Sequence, residues 1–378
     1  MRIGLDGIPL ASLRTGIGHY TAELAQTLAR ISPTNEFELI SPVPIVGVVN
    51  EDGVGELPSN LRIVRTKINP FWWTVGLPLY LKQTSLSIFH GTNYDVPLWG
   101  RSGKVVTIHD LSLLLHPETH PDNLVRRARR RLPIMAKAAT MIITATESVK
   151  REICEQLRVE AGKVAVTPYA PRRNFRPLPL EQTVEVRKRL NIADEFVLFV
   201  GTIEPRKNLV TLAKALDEIL RTTTLRPQLV IAGRKGWLND ELFSYIQRSG
   251  VAEHIRFIGY VSDPDLRALY SSCRICVYPS LYEGFGLPPL EAMACGAPVI
   301  TSRIPSIMET VGAAASLVSP TDVQGLAEAI TQLLGDENKR SQLANAGIQR
   351  AAEFTWEKTA RATLDVYEEA LKRNRKGS

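Results

Sequence analysis

Short apolar runs, bounded by glycine, proline or polar turns, recur along the chain, and many of the segments between them carry apolar positions at helical spacing. In the first half such runs lie at 2–5, 37–41, 61–66, 87–89, 104–108, 141–145 and 164–167. In the second half they lie at 196–201, 228–233, 255–261, 274–280, 297–302 and 314–320. They predict buried strands. Helices are expected over 19–30 and 288–295, and from about 209, 322, 337 and 355, while the proline- and glycine-rich stretch 42–58 reads as loop. Strands alternating with helices indicate parallel sheets. Residues 168–179, with Pro168, Pro171, Pro177 and Pro179, separate two such series and read as a linker. The expected fold class is therefore α/β, with a domain at 1–170, a linker at 171–180, a second domain at 181–354 and a closing helix at 355–378. Two βα halves joined by a linker are expected to leave a cleft between them, a frequent place for ligands.

Composition narrows this little. A chain of 378 residues favours two domains over one, and 44% hydrophobic content is ordinary for proteins with real cores. Four cysteines make no disulfide framework, and Cys273 and Cys276, formally C-x-x-C, have no second pair and read as structural. No apolar run approaches the ~18 residues of a membrane span, and the chain enters a strand directly at Arg2, without the apolar region of a signal peptide. A cytoplasmic protein is expected. The net charge of +7 suits anionic ligands or an anionic membrane surface and does not by itself indicate nucleic acid.

Candidate chemistry concentrates in 278–299, YPSLYEGFGLPPLEAMACGAPV. Glu283 and Glu291 stand eight residues apart. Between them Gly284, Phe285, Gly286 and Leu287 lead to Pro288-Pro289, which suits the first turn of a helix that Gly296 stops. Strand, glycine loop and helix N-terminus make a ready anion site. Carboxylates accept from hydroxyls and repel phosphate, so Glu283 and Glu291 would flank a phosphate rather than hold it. Arg206 and Lys207 follow the strand at 196–201, where adjacent cations can neutralise a diphosphate. His109 ends the strand at 104–108, on the side of an open α/β sheet where ligands bind. Gly16 and Gly18 are expected in a loop after the first strand. The third glycine of a dinucleotide fingerprint is missing, because Thr21 stands there, and this disfavours NAD. The SDPD at 262–265 reads as a capped helix start and not a metal site, and no other cluster has ligand spacing, so no metal is expected. Arg126, Arg127, Arg129, Arg130 and Arg131 are expected on one side of a helix, with Leu124, Val125, Ala128, Leu132 and Met135 on the other. That side is either a solvated face or a surface for anionic lipid headgroups or a phosphate-bearing acceptor. Trp72 and Trp73 should point to opposite sides of an extended chain, so that one is either core or an acceptor or membrane contact.

The run EGFGLPPLEAM resembles the E-x7-E motif of the retaining glycosyltransferases of family 4, and the resemblance extends over nearly the whole chain through TIHDL at 107–111, LHPE at 115–118 and GTIEPRKN at 201–208. It implies the GT-B fold, two facing Rossmann-like domains separated by a cleft, with the closing helix crossing back to the N-terminal domain. The implied reaction moves a hexose from a nucleotide-diphospho-sugar, GDP-mannose in the first place, to a glycan or lipid-linked acceptor. The N-terminal domain would bind the acceptor and the C-terminal domain the donor. Arg206 and Lys207 would hold the diphosphate, Glu283 the sugar hydroxyls, Glu291 the ribose hydroxyls, and His109 would lie against the sugar. Gly16 and Gly18 would face the diphosphate, although Thr15 stands where the family often has a glycine. The phosphate would also meet the backbone around Gly284, Phe285, Gly286 and Leu287. No cofactor is implied beyond the sugar nucleotide. The basic helix suggests peripheral contact with the inner face of a membrane.

Two alternatives stay beside this reading. A family 4 transferase using a UDP-sugar would share the same motif. A non-hydrolysing sugar-nucleotide epimerase on the same fold would need acid/base carboxylates on both cleft walls, and E-x7-E is not its signature.

Overall fold

Buried parallel strands give near-continuous apolar runs because helices cover both faces of the sheet. Of the thirteen strands among the described residues of the computed structural model, which describes residues 1–12, 16–46, 57–66 and 71–376, most have this character. The chain divides into two units. The first comprises 1–111, 126–170 and 354–378; the second comprises 112–125 and 171–353.

The first unit holds β1 (Arg2–Asp6), β2 (Glu36–Ser41), β3 (Leu61–Arg65), β4 (Ile88–Gly91), β5 (Gly103–Thr107), β6 (Met141–Thr144) and β7 (Val164–Val166). They form one parallel sheet in the order β3-β2-β1-β4-β5-β6-β7. Ile3, Leu5, Leu39, Phe89, Val105 and Ile142 are buried in it. The order reverses between β1 and β4, which makes their carboxyl ends the switch point. The helix Trp356–Lys376 belongs to this unit and is bound into it by polar contacts as well as by the buried Trp356. Its Tyr367 hydroxyl lies 2.7 Å from His90 Nδ1, and its Thr359 hydroxyl donates to the Pro168 carbonyl at 2.6 Å.

The second unit repeats the plan with β8 (Phe196–Val200), β9 (Gln228–Ala232), β10 (Ile255–Gly259), β11 (Ile275–Tyr278), β12 (Val299–Ser302) and β13 (Ser316–Val318), in the order β10-β9-β8-β11-β12-β13. Phe199, Leu212, Leu216, Ile231, Val277, Ile300 and Ile330 lie in one core cluster. Its switch point lies between β8 and β11. The fold class is α/β, with two parallel sheets of Rossmann type.

Several expectations need correction. The first long helix begins at Gly16 and not near His19, so Gly16 and Gly18 lie in its first turn; Thr15 lies outside the described residues. Trp72 and Trp73 are not extended. They open a π-helical turn, Trp72–Gly76, and both turn inward: Trp72 is buried with Ile40, Leu77, Leu81 and Phe89, and Trp73 packs partly buried against the same cluster. The arginine helix runs Asp122–Ala138. Val125, Ala128, Leu132 and Met135 are buried as expected, but Leu124 is exposed, and Arg131 turns to pair with Asp95. Residues 112–125, placed in the first domain by sequence, group with the second unit.

Candidate functional site

The loops after β8 and β11 meet at the switch point of the second unit. After β8, Pro205–Lys207 forms a short turn, and Asn208 in left-handed backbone (φ 59°) starts the helix Leu209–Thr222. Asparagine tolerates that conformation. Its side chain ties the loops together, with Nδ2 donating to the carbonyls of Pro279 (2.9 Å) and Pro320 (2.7 Å). After β11 the chain runs through Glu283 to Gly286, which caps the helix Leu287–Ala294. Gly286 has φ 90°, backbone that favours glycine, and a Cβ there would lie 2.3 Å from Ile307 Cδ1, so that side chain would have to shift. Ser306 and Thr310 hydroxyls donate to the carbonyls of Glu283 and Phe285 and fix the loop from behind.

This scaffold presents a buried charge cluster. Lys207 Nζ donates to Glu283 Oε1 and to the Tyr278 hydroxyl, each at 2.6 Å. The Tyr278 hydroxyl donates in turn to Glu283 Oε1 at 3.0 Å. Arg206 lies 3.1 Å from Glu283 Oε2, donates to the Tyr282 carbonyl at 3.0 Å and pairs with Glu204 at 2.6 Å. Burial alone would push the Glu283 carboxyl up, but Arg206 and Lys207 outweigh it and hold it down at about 2. Burial and neighbouring Arg206 push the Lys207 ammonium down, against the pull of Glu283 and Glu204. Lys207 is itself buried, at the end of the turn that follows β8. Glu204 and Tyr278 complete the cluster and were missed. Glu204 stands in the same EPRK turn and was the more legible of the two; nothing in the local pattern marks Tyr278.

Glu291 sits inside the helix Leu287–Ala294, 2% exposed. Arg172 Nε approaches its Oε1 at 3.1 Å, and Arg172 Nη1 donates to Asp263 Oδ1 at 2.7 Å. Burial pushes Glu291 up to about 7, Arg172 pulling it down and Asp263 adding to the rise. Arg172 comes from the stretch read as linker, which is anchored to the second unit by this pair of contacts. Ser262 is the N-cap of the helix Asp263–Ser272, accepting from the Asp265 N–H, in keeping with a capped helix start. Among the described residues no group of three His, Cys, Asp or Glu side chains could hold a metal ion. Cys273 and Cys276 are free and buried.

His116 and Tyr282 also belong to the second unit, their rings 5.1 Å apart. His109 belongs to the first, just past the end of β5. Its Nε2 lies 2.8 Å from the Thr92 carbonyl, which can only accept, so Nε2 carries the proton and Nδ1 accepts from the Tyr169 hydroxyl at 2.7 Å. Tyr20, Tyr94 and Tyr169 surround the ring edge-on. Burial drops its pKa to about 4, so the imidazole is neutral and held in one tautomer. Gly16 is exposed and Gly18 buried in the first turn of the helix Gly16–Ile31. The structure thus brings Arg206, Lys207, Glu283 and the loop Gly284-Phe285-Gly286-Leu287 together in one unit, with Glu291 in the helix that follows, and places His109, Gly16 and Gly18 in the other.

Comparison with known proteins gives a consistent picture. A profile described as "Glycosyl transferases group 1" matches residues 182–350, and one described as "Glycosyltransferase Family 4" matches 14–170. The O-antigen chain mannosyltransferase B of Escherichia coli is 31% identical over 97% of this chain and 99% of its own length. Among solved structures, the sucrose-phosphate synthase of Thermosynechococcus elongatus superposes with a TM-score of 0.76 at 22% identity, over 97% of this chain and 98% of that one. The Anabaena HepE in complex with UDP and glucose gives 0.73 at 20% identity, over 96% and 98%. These structures share the fold.

Proposed function

Because the chain belongs to glycosyltransferase family 4 and is a glycosyltransferase, we propose that it transfers mannose from GDP-mannose, with retention of configuration, to a hydroxyl of a glycan or lipid-linked acceptor. The relative along its whole length is named a mannosyltransferase, which favours this donor over a UDP-sugar.

The observation that carries the reading is the Arg206–Lys207–Glu283 cluster beside the N-terminus of the helix Leu287–Ala294. Departure of a nucleoside diphosphate leaves negative charge on the leaving phosphate. Cations and N–H groups gathered at one site stabilise that charge. Arg206, Lys207 and the N–H groups at Gly286 and Leu287 take this role. Glu283 has both oxygens engaged and retains lone-pair capacity for a sugar hydroxyl. Glu291 accepts from the ribose, and His109, neutral and fixed, lies against the sugar. Gly16 and Gly18 let backbone approach the donor. The acceptor hydroxyl attacks from the face that the diphosphate leaves. No cofactor is required beyond the sugar nucleotide. The exposed Arg126, Arg127, Arg129 and Arg130 meet anionic headgroups at the inner face of a membrane.

A thermal-shift panel of GDP-, UDP- and ADP-sugars tests the donor, since a ligand that binds only the folded state at 100 times its Kd adds about 2.7 kcal/mol of stability. GDP-mannose should give the largest shift. A larger shift with a UDP-sugar overturns the donor assignment, and none with any sugar nucleotide overturns the placing of the donor at this cluster.

A further inference from the structure

In the stretch Phe71-Trp72-Trp73-Thr74-Val75 the two tryptophans turn inward, and this sends their apolar neighbours outward: Phe71 is 78% exposed and Val75 42%. The arrangement is built and not frayed. The Phe71 carbonyl accepts from the N–H groups of Thr74 (3.0 Å), Val75 (2.8 Å) and Gly76 (3.3 Å) and from the Thr74 hydroxyl (3.2 Å). Phe71 itself adopts left-handed backbone at φ 54°, an unfavourable conformation for a residue with a bulky Cβ substituent. A second loop joins the turn. The Trp99 indole N–H donates to the Thr74 carbonyl at 2.7 Å, while its ring stays 44% exposed beside Leu98 at 45%. Leu98 in turn offers its carbonyl to Lys104 Nζ at 3.2 Å. Four large apolar side chains from two loops thus form one patch, and the polar groups that hold it are already paired. Covering it with an apolar phase strands none of those hydrogen-bonding groups.

The flank is basic. Four residues before Trp99, Asp95 is neutralised by Arg131 of the helix Asp122–Ala138, and the Val96 N–H donates to Met135 Sδ at 3.5 Å. That helix exposes Arg126, Arg127, Arg129 and Arg130. Aromatic rings with a satisfied polar edge suit the boundary between headgroups and acyl chains, and arginines suit lipid phosphates. A second copy of the same face would bring two arginine rows together, and like charges oppose that contact. An anionic bilayer meets both features.

We propose that Phe71, Val75, Leu98 and Trp99 seat the first unit in an anionic bilayer. The patch is inserted at the headgroup–acyl boundary while the arginine helix binds headgroup phosphates. This deepens the lipid-facing reading of that helix by adding an inserted apolar anchor to a purely electrostatic contact.

The test is co-sedimentation of the full chain with vesicles of phosphatidylglycerol and phosphatidylcholine, and of phosphatidylcholine alone, at about 0.05 and 0.5 M salt, where charges are screened over roughly 14 Å and 4 Å. Phe71→Ser with Val75→Ser should lower partition to anionic vesicles at least about tenfold at both salts, since full burial of each side chain is worth about one to two decades. Arg126→Ser, Arg127→Ser and Arg130→Ser together should lower it mainly at low salt, about fivefold per residue. Spin-labelled acyl chains should quench wild-type fluorescence more than that of Trp99→Phe. Circular dichroism and transfer to a soluble acceptor report that the variants fold. If the apolar variant binds like wild type while the arginine variant does not, the anchor is overturned and the electrostatic contact stands. If wild type binds no vesicle, both are overturned. A dimer in sedimentation velocity that Phe71→Ser with Val75→Ser dissolves, without vesicle binding, assigns the patch to a second copy and likewise overturns the proposal.

Discussion

Lys207 Nζ lies 2.6 Å from Glu283 Oε1, across 76 residues of sequence, and both side chains are buried. The pair joins the loop after β8 to the loop after β11 at the switch point of the second sheet. In this state the ammonium is spent on a carboxylate and a phenol. In the proposed reaction it must turn to the donor diphosphate, leaving Arg206 and Tyr278 to hold Glu283 in place.

Lys207→Ala should lower turnover about 10²–10³-fold with a smaller effect on donor affinity, because the charge it meets grows toward the transition state. Glu283 keeps Arg206, so the variant should fold with a loss of about 1–3 kcal/mol and not the full cost of a stranded buried charge. Glu291→Ala should instead weaken nucleotide binding and spare the chemical step, since ribose contacts change little during bond cleavage. Steady-state kinetics with calorimetric nucleotide binding separates the two. Near-normal turnover in Lys207→Ala removes this residue from the mechanism, and a larger rate loss in Glu291→Ala reverses the placing of donor and motif.

Tyr278→Phe tests whether the phenol positions the pair. Its hydroxyl accepts from Lys207 and donates to Glu283. Burial, then the nearby Glu283, raises the phenol far above its ordinary value, so it remains a donor across the working range. Loss of the hydroxyl should cost about 1 kcal/mol in urea unfolding and reduce turnover less than Lys207→Ala, with donor affinity nearly unchanged. A donor affinity that falls as far as turnover means that Tyr278 contacts the ligand directly.

The strands were legible because a buried parallel strand must be apolar along its whole length, whichever partner it finds. β8 and β11 show this plainly, as does the glycine-to-proline transition that starts the helix at Leu287. Pairings across long separations were not legible. No local pattern tells that Lys207 is covered by Glu283 and Tyr278, or that Arg172 of the proline-rich stretch reaches Glu291 and Asp263. The Trp72-Trp73 expectation failed for a related reason. Opposite-facing neighbours hold only for extended chain, and the carbonyl of Phe71 gathers a π-helical turn that puts both indoles on the core side.

Transfer should persist in EDTA. Arg206 and Lys207 supply the positive charge that a divalent ion would otherwise bring to the diphosphate. Initial rates with and without chelator, at saturating donor, are the measurement. Complete loss restored by Mg²⁺ or Mn²⁺ contradicts the assignment, whereas a modest change in rate is consistent with an effect on product release.

Glu291 makes the pH dependence specific. Burial raises its carboxyl from 4.5 to about 7 in the folded chain. The folded state therefore binds this proton more tightly than the unfolded state. Its contribution to stability is full below about pH 4.5 and is lost as pH rises through about 7. Glu291→Gln has no such proton. The stability of wild type minus that of Glu291→Gln should fall between pH 5 and pH 8, by roughly 1–3 kcal/mol at about 1.4 kcal/mol per unit of displacement. Urea unfolding of both proteins at pH 5, 6, 7 and 8 measures it. Nucleotide affinity should move the opposite way in wild type, because ribose hydroxyls donate best to the ionised carboxylate. A difference that stays flat or rises with pH means that Arg172, 3.1 Å away, outweighs burial and keeps Glu291 ionised throughout.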